Sequence, residues 1–260
     1  MIIAQITDLH IEAAGHRPAH GFDVNASLAA VLRRLESHTP RPDMILATGD
    51  LTAHGDDSEY DALAALLNSV DIPMYIMPGN HDDRDGMRKA FPGHTYLPKG
   101  DYLHYVIDEF PLRIIALDTL APGLVDGTMC PARCDWLTAR LAEAPSRPTV
   151  IAMHHPPADI GIGWLHSGNF AGRDEIRDII AAHQQVQAVL CGHVHRSAQV
   201  PLAHTRVHTT GSTAYQFLLE LSDDAPRGKG NEAPAYGLHL WQPENGLVSH
   251  TVTLATSDGG

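Results

Sequence analysis

The sequence predicts an α/β fold: two mixed β-sheets stacked as a sandwich, flanked by helices, in one domain spanning residues 1–260. Three features point there. Short apolar runs alternate with helix-spaced stretches as far as Leu190, strands without helices follow from Ala198, and five of the apolar runs exit into polar clusters that a packed core does not require. At 260 residues the chain can bury the sizeable core such a sandwich needs.

The first strand is 2–6, and the His- and Gly-containing stretch 11–22 after it reads as a loop. From Asn25 on, Leu28, Val31, Leu32 and Leu35 recur at helical spacing, and Pro40 and Pro42 require that helix to end before them. Strand 44–48 follows. The next helix, 58–67, takes Ser58 as its cap and Leu63, Leu66 and Leu67 as its buried stripe. Strand 74–77 is stopped by Pro78 and Gly79, and a short helix over 83–90 comes next. Runs 104–107 and 112–117 form a hairpin of the second sheet. Helix 131–142 opens on Pro131, which suits a first helical turn, and carries Trp136, Leu137 and Leu141 inward. Strand 149–153, a loop to Phe170, helix 173–182 and strand 186–190 complete the alternation. The remaining strands are 199–202, 206–209, 237–241 and 248–254. Between them 222–234 is polar and rich in Gly, Pro and charge, a mobile excursion; the wider stretch 214–236 reads as a lid or a contact between subunits.

Lys plus Arg number 18 against 31 Asp plus Glu, a formal charge of −13. That balance argues against tracking a nucleic-acid backbone and against docking on an anionic membrane. Three cysteines, Cys130, Cys134 and Cys191, are few and odd in number, as in a reducing cytosol. Cys130 and Cys134 lie one helical turn apart but lack the second pair a zinc site needs. Met1 leads straight into a strand, with neither signal peptide nor membrane span, so the expected location is cytoplasmic.

The strand exits carry Asp8 and His10, then Gly49-Asp50, then Gly79-Asn80-His81-Asp82, then His154-His155, then Gly192-His193-Val194-His195. Taken singly, each has a plain explanation as a cap, a turn or an exposed histidine. Jointly, all at strand exits, they read as ligands. Carboxylates, imidazoles and one amide supply hard oxygen and borderline nitrogen donors. The set Asp8, His10, Asp50, Asn80, His155, His193 and His195 exceeds one ion's needs and suits two divalent ions sharing a carboxylate, drawn from manganese, iron, cobalt or zinc, with iron or manganese favoured. Gly49, Gly79 and Gly192 each precede a donor, where a residue without Cβ lets the chain bend tightly. His193 and His195 fall on the same side of the chain if it is extended there.

In this order, the motifs Asp8-Leu9-His10, Gly49-Asp50, Gly79-Asn80-His81-Asp82, His154-His155-Pro156 and Gly192-His193-Val194-His195 resemble the calcineurin-like metallophosphoesterase superfamily. The fuller stretches Ile6-Thr7-Asp8-Leu9-His10, Pro78-Gly79-Asn80-His81-Asp82-Asp83 and Met153-His154-His155-Pro156-Pro157 look closest to its bacterial branch of class III cyclic-nucleotide phosphodiesterases and glycerophosphodiesterases. The resemblance implies the four-layer α/β/β/α sandwich. It implies that Asp8, His10, Asp50 and His195 hold one ion, that Asp50, Asn80, His155 and His193 hold the second, and that Asp50 bridges. His81 then faces the phosphate as a catalytic group, with Asp82 orienting it, and His154 stands outside the ligand pattern, supporting ligands or substrate. Purple acid phosphatases, which share the scaffold, carry a Tyr ligand where this chain has Ala53, so that subfamily is disfavoured.

Two bridged cations turn a bound water into hydroxide at neutral pH, which attacks phosphorus directly and removes the need for a Ser or Cys nucleophile. The expected activity is a binuclear phosphodiesterase acting on small phosphodiesters such as cyclic nucleotides or glycerophosphodiesters. A phosphomonoesterase or a nuclease on the same scaffold is the alternative, and a non-catalytic interaction module a weaker one. Selectivity is expected from loops 11–22 and 160–170 and from the region after 208–211, where Phe22, Trp164 and Tyr215 are candidates to stack on substrate as well as to pack. A homo-oligomer is a further candidate property.

Overall fold

Strand order decides which turns can meet. The computed structural model describes residues 1–16, 21–165, 170–222, 224 and 226–254. In one sheet β1 (Ile2–Ile6), β2 (Met44–Thr48) and β3 (Met74–Met77) run parallel, and β10 (Ala235–Gln242) and β11 (Gly246–Thr253) extend it antiparallel, in the order β11-β10-β1-β2-β3. The second sheet has the order β4-β5-β6-β7-β9-β8, with β4 (Tyr105–Ile107), β5 (Arg113–Leu117), β6 (Thr149–Met153), β7 (Val186–Cys191), β8 (Ala198–Leu202) and β9 (Thr205–Thr209). Its four inner strands are parallel and its two edge strands antiparallel.

Alternation along the second sheet builds two cores at once. Ile114, Ala116, Val150, Ala152, Ala188 and Leu190 turn into the space between the sheets. Their neighbours Ile115, Leu117, Ile151, Met153 and Val189 turn the other way, against Leu137 and Leu141 of α4 (Pro131–Ala142) and Ile176 and Ile180 of α5 (Arg173–Ala182). α1 (Val24–Glu36) and α2 (Asp57–Leu67) bury Leu28, Val31, Leu32, Leu35 and Leu63 on the first sheet's side. The layers are therefore helix, sheet, sheet, helix, as the motifs implied.

The expected elements all form, with shifts at their ends. α2 starts behind Asp56, not at Ser58, because the Glu59 carboxylate reaches back to the N–H groups of His54 at 2.8 Å and Asp56 at 3.3 Å, satisfying donors that a Ser58 cap would leave bare. Leu66 is only half-buried, and Tyr60 takes the place expected for it in the core. Trp136 is also half-buried, its ring stacked on His104 at 4.9 Å. α3 is Arg84–Ala90, capped by Asp83 through the N–H of Gly86.

The stretch 214–236 folds back on itself. Leu218 N–H donates to Gly228 O and Gly230 N–H to Gln216 O, at 2.9 and 2.8 Å, so 216–218 and 228–230 pair as a strap. Parts of the loops singled out in the sequence, 17–20, 166–169, 223 and 225, lie outside the described residues. Among the described residues no helix is long and apolar enough to cross a membrane.

α1 tests the local physics. The Asp23 carboxylate accepts from Ala26 N–H at 2.9 Å, so Asp23→Ala should lower unfolding free energy by about 1 kcal/mol, read as a lower urea midpoint at unchanged slope.

Candidate metal centre

Strained turns carry the donors. Asp8 (φ 51°), His10 (45°), Asp50 (50°), His193 (70°) and His195 (49°) make up five of the six non-glycine residues with positive φ among the described residues. L-residues avoid that region, and five such positions in one place need strong local constraints. Backbone bonds between neighbouring turns provide them. Asp8 N–H donates to Gly49 O and His10 N–H to Asp50 O, both at 3.0 Å. His193 N–H donates to the Asp8 carboxylate at 3.0 Å, and His81 N–H to Asp50 Oδ1 at 2.9 Å. One departure from the sequence reading follows. His193 and His195 are not extended, so their rings part: His193 turns to Asn80 and His155, His195 to Asp8 and His10.

The donor atoms sit at separations that suit a shared ion. His10 Nε2 and His195 Nε2 are 3.1 Å apart, and His195 Nε2 is 3.4 Å from Asp8 Oδ1. His193 Nδ1 is 3.1 Å from Asn80 Oδ1. Two donors bonded at about 2.1 Å to one ion lie about 3.0 Å apart at a right angle and about 3.4 Å apart at the tetrahedral angle. Asp50 lies between: its Oδ2 is 3.8 Å from His10 Nε2 and 3.4 Å from His154 Nε2. The close groups are Asp8-His10-His195, His10-Asp50-His81, Asp8-Asp50-His154 and His154-His155-His193, each within 4.8 Å.

Buried carboxylates with no Lys or Arg beside them call for a cation. Asp8 and Asp50 are buried, and among the described residues their partners within ion-pair range are all histidines. Burial pushes the Asp8 carboxyl up, and the Asp50 charge adds to this after His154 has opposed it. Burial opposes ionisation of Asp50 as well, but His154, His10 and His81 hold it well below the usual carboxylate range. Burial alone would lower His154, yet Asp50 and Asp8 raise it to about 9. Burial takes His193 and His195 down to about 3 and His10 and His155 well below normal, so these rings are neutral and present lone pairs at pH 7. His154 Nε2 is buried with no hydrogen-bond partner. These oxygen- and nitrogen-only clusters fit a pair of divalent ions.

Carbonyl oxygens aim the rings. His195 Nδ1 donates to Tyr215 O at 2.7 Å, His154 Nδ1 to Thr48 O at 2.7 Å and His81 Nδ1 to Ala53 O at 2.6 Å. A carbonyl only accepts, so Nδ1 carries the proton in each and Nε2 faces the centre. His155 differs: Nε2 donates to Val125 O at 3.0 Å and Nδ1 accepts from the Thr119 hydroxyl at 2.8 Å, so both nitrogens of this expected ligand have protein partners here. Motif reading missed these supports because a backbone carbonyl leaves no trace in residue type.

Asp82 and His154 sit differently from expectation. The Asp82 carboxylate is buried and accepts from Leu51, Thr52 and Gly79 N–H groups and from Tyr60 and Thr52 hydroxyls, at 2.9–3.2 Å. It clasps the turn after β2 to the turn after β3, while Ala53, not Asp82, orients the His81 ring. Burial and the Asp50 charge raise its pKa to about 6. His154 is fully buried beneath Asp8 and Asp50, so a place among substrate-contacting residues is corrected to one under the ligands. Tyr215 stacks on His10 at 5.4 Å and packs tilted against His195 at 4.7 Å, Phe22 leans on Tyr215 at 5.9 Å, and Trp164 meets Phe217 edge-on at 4.8 Å. All three predicted aromatics thus border the centre or its surroundings.

The motif glycines act mainly by closeness. Of Gly49, Gly79 and Gly192, only Gly49 has positive φ, 94°. A Cβ on Gly79 would sit 2.2 Å from Asp50 Oδ1, and one on Gly192 1.9 Å from Thr7 Oγ1.

Two hollows open from the donors. One, about 460 Å³, has His155 and His193 at its base and Trp164, Phe170 and Arg227 on its walls. The other, about 610 Å³, is reached past Asn80 and His81 and is lined by Asp83, Asp85, Arg88 and Lys99.

Residues 1–197 match the family model described as calcineurin-like phosphoesterase. A protein of Arcobacter nitrofigilis named "Probable glycerophosphodiester phosphodiesterase GpdQ" is 32% identical over 260 residues, 100% of this chain and 95% of that one. The 3′,5′-cyclic adenosine monophosphate phosphodiesterase CpdA of Escherichia coli is 31% identical over 215 residues, 83% of this chain and 77% of that one. A dimetal phosphatase from Danio rerio superposes with a TM-score of 0.68 at 15% identity, over 98% of this chain and 99% of that chain, which speaks to the fold.

The contact at Gly79 yields a test. A Cβ there would also lie 2.3 Å from Asp50 N, so Gly79→Ala should displace the whole Asp50 turn and cut bound manganese, by elemental analysis, to less than half the unmutated value, with a lower urea midpoint.

Proposed function

Because the chain belongs to the calcineurin-like phosphoesterase family, we propose that it is a two-metal phosphodiesterase hydrolysing small phosphodiesters, cyclic nucleotides or glycerophosphodiesters among them. The observation that carries this reading is the position of Asp50. Its Oδ2 lies 3.8 Å from His10 Nε2, 3.4 Å from His154 Nε2 and 4.0 Å from His81 Nε2, so the carboxylate stands between the close donor groups. Asp8, His10, Asp50 and His195 would hold one ion, and Asp50, Asn80, His155 and His193 the other, with iron or manganese favoured by the nitrogen and oxygen set. When bound, such a pair supplies an acidified water and positive charge for the phosphoryl oxygens.

The chain's own residues do the rest. His81 is exposed, its Nδ1 fixed on Ala53 O and its Nε2 4.0 Å from Asp50 Oδ2, so Nε2 is turned to whatever lies over the centre. In our reading it protonates the departing alkoxide. Asp82 acts through the backbone, keeping Leu51 and Thr52 next to Gly79 so that Asp50 and Asn80 stay in register. Tyr215 walls His10 and His195 from the side, and the paired segments 216–218 and 228–230 lie against that wall, with the Lys229 ammonium 3.6 Å from the Tyr215 ring centre. The three free thiols agree with a cytoplasmic location.

Manganese-loaded protein should hydrolyse bis(p-nitrophenyl) phosphate at least about tenfold faster than p-nitrophenyl phosphate, and a chelator should abolish both activities reversibly. His81→Ala should keep its metal content and lose about 100-fold in kcat. A monoester preference would overturn the diester reading, and an unchanged kcat would remove His81 from the chemistry.

A further inference from the structure

One more buried strand ends in polar residues: β5 runs into Asp118 and Thr119, which the metal motifs leave out. Leu117 pairs with Met153 in the parallel ladder between β5 and β6, so two residues further on Thr119 stands beside His155. Thr119 is fully buried, and its hydroxyl lies 2.8 Å from His155 Nδ1. Asp118 fixes that position. Its buried carboxylate takes Arg84 Nε and Nη2 at 2.5 and 2.8 Å and the N–H groups of Leu103 and Leu120 at 2.8 and 3.0 Å, while its own N–H donates to His104 Nδ1 at 2.9 Å. Arg84 opens α3 just past Asn80, so this ion pair ties the turn carrying one expected ligand to the turn that holds another.

Resting on the two-ion reading, we propose that Thr119, held in place by the Arg84–Asp118 ion pair, is a positioning residue of the second ion site: its hydroxyl sets the aim and the tautomer of His155. The reason lies in what a neutral imidazole can satisfy. One ring nitrogen donates and the other accepts. Here Nε2 donates to Val125 O at 3.0 Å, so the Thr119 hydroxyl donates to Nδ1. An ion held by Nε2 needs the lone pair at that atom, the proton then sits on Nδ1, and the group facing Nδ1 has to accept it. A hydroxyl serves both forms, because it donates or accepts as its neighbour requires. The carbonyls that aim His195, His154 and His81 serve only one. Val125 O belongs to a loop on which Leu124 and Val125 are 61% and 64% exposed, so freeing Nε2 uncovers no core. Thr119 stays where it is, its carbonyl bonded to Thr128 N–H at 2.9 Å and Asp118 anchored before it.

A manganese titration followed by electron paramagnetic resonance separates the two ions, since neighbouring ions couple while an isolated one keeps its hyperfine lines. Unmutated protein should show the coupled signal at saturation. Thr119→Val, which keeps the shape and loses the hydroxyl, should need about 10- to 100-fold more manganese for that signal and show isolated-ion lines before it. Thr119→Ala should do the same with no added methyl group against the ring, and Thr119→Ser, which restores the hydroxyl, should return the requirement to near the native value. Asp118→Asn, which loses the charge facing Arg84, should shift the second ion in the same direction and leave the first in place. A role in folding alone would lower the urea midpoint and leave the manganese requirement as it was, or weaken both ions by one factor. Either result overturns the assignment, as does a Thr119→Ser protein as impaired as Thr119→Val. An isolated-ion signal from saturated unmutated protein would instead remove the two-ion reading beneath it.

Discussion

A buried carboxylate governs this molecule. Asp50 sits at the end of a central strand, almost out of water, with no Lys or Arg among the described residues to neutralise it and histidines around it. An ionised carboxylate in such a place is expensive unless positive charge comes to it. His154, fully buried beneath it with Nε2 3.4 Å from Asp50 Oδ2, has its pKa raised by Asp50 and Asp8. Most of the rest can be read as the apparatus that keeps Asp50 there: Gly79 leaves room for its oxygen, His81 N–H holds that oxygen, and Asp82 pins the two turns that carry Asp50 and Asn80.

The strain in the turns has the same origin. Five donor residues with positive φ, at about 1–3 kcal/mol each, is a cost the fold tolerates because the parallel strands behind them are fully buried and the turns bond to one another. Side chains that leave neighbouring strand ends in left-handed backbone converge on one point, whereas extended continuations would send them past each other. Geometry and chemistry are therefore coupled: the conformation that is unfavourable for each residue alone is the one that lets donors from distant parts of the chain share an ion.

Much of this was legible in the sequence, and what was not has a physical explanation. The alternation of apolar runs matched β1, β2, β3, β6 and α4 to the residue, because β2 and β6 are buried along their whole length, Pro78 and Gly79 stop β3, and Pro131 opens α4. The start of α2 was missed because Ser58 looks like a cap while the decisive carboxylate belongs to Glu59 inside the helix. Side by side, His193 and His195 invited an extended reading, which only the backbone angles correct. The roles of Ala53, Thr48 and Tyr215 rest on their carbonyls, and these carry no residue signature at all.

The shared carboxylate can be seen directly. In crystals of manganese-loaded protein, anomalous scattering should show two peaks about 3.5–4 Å apart, with Asp50 between them and Asn80 and His193 on one side, Asp8 and His195 on the other. A single peak, or a second peak beyond the reach of Asp50, would contradict the two-ion centre on which the proposed chemistry stands.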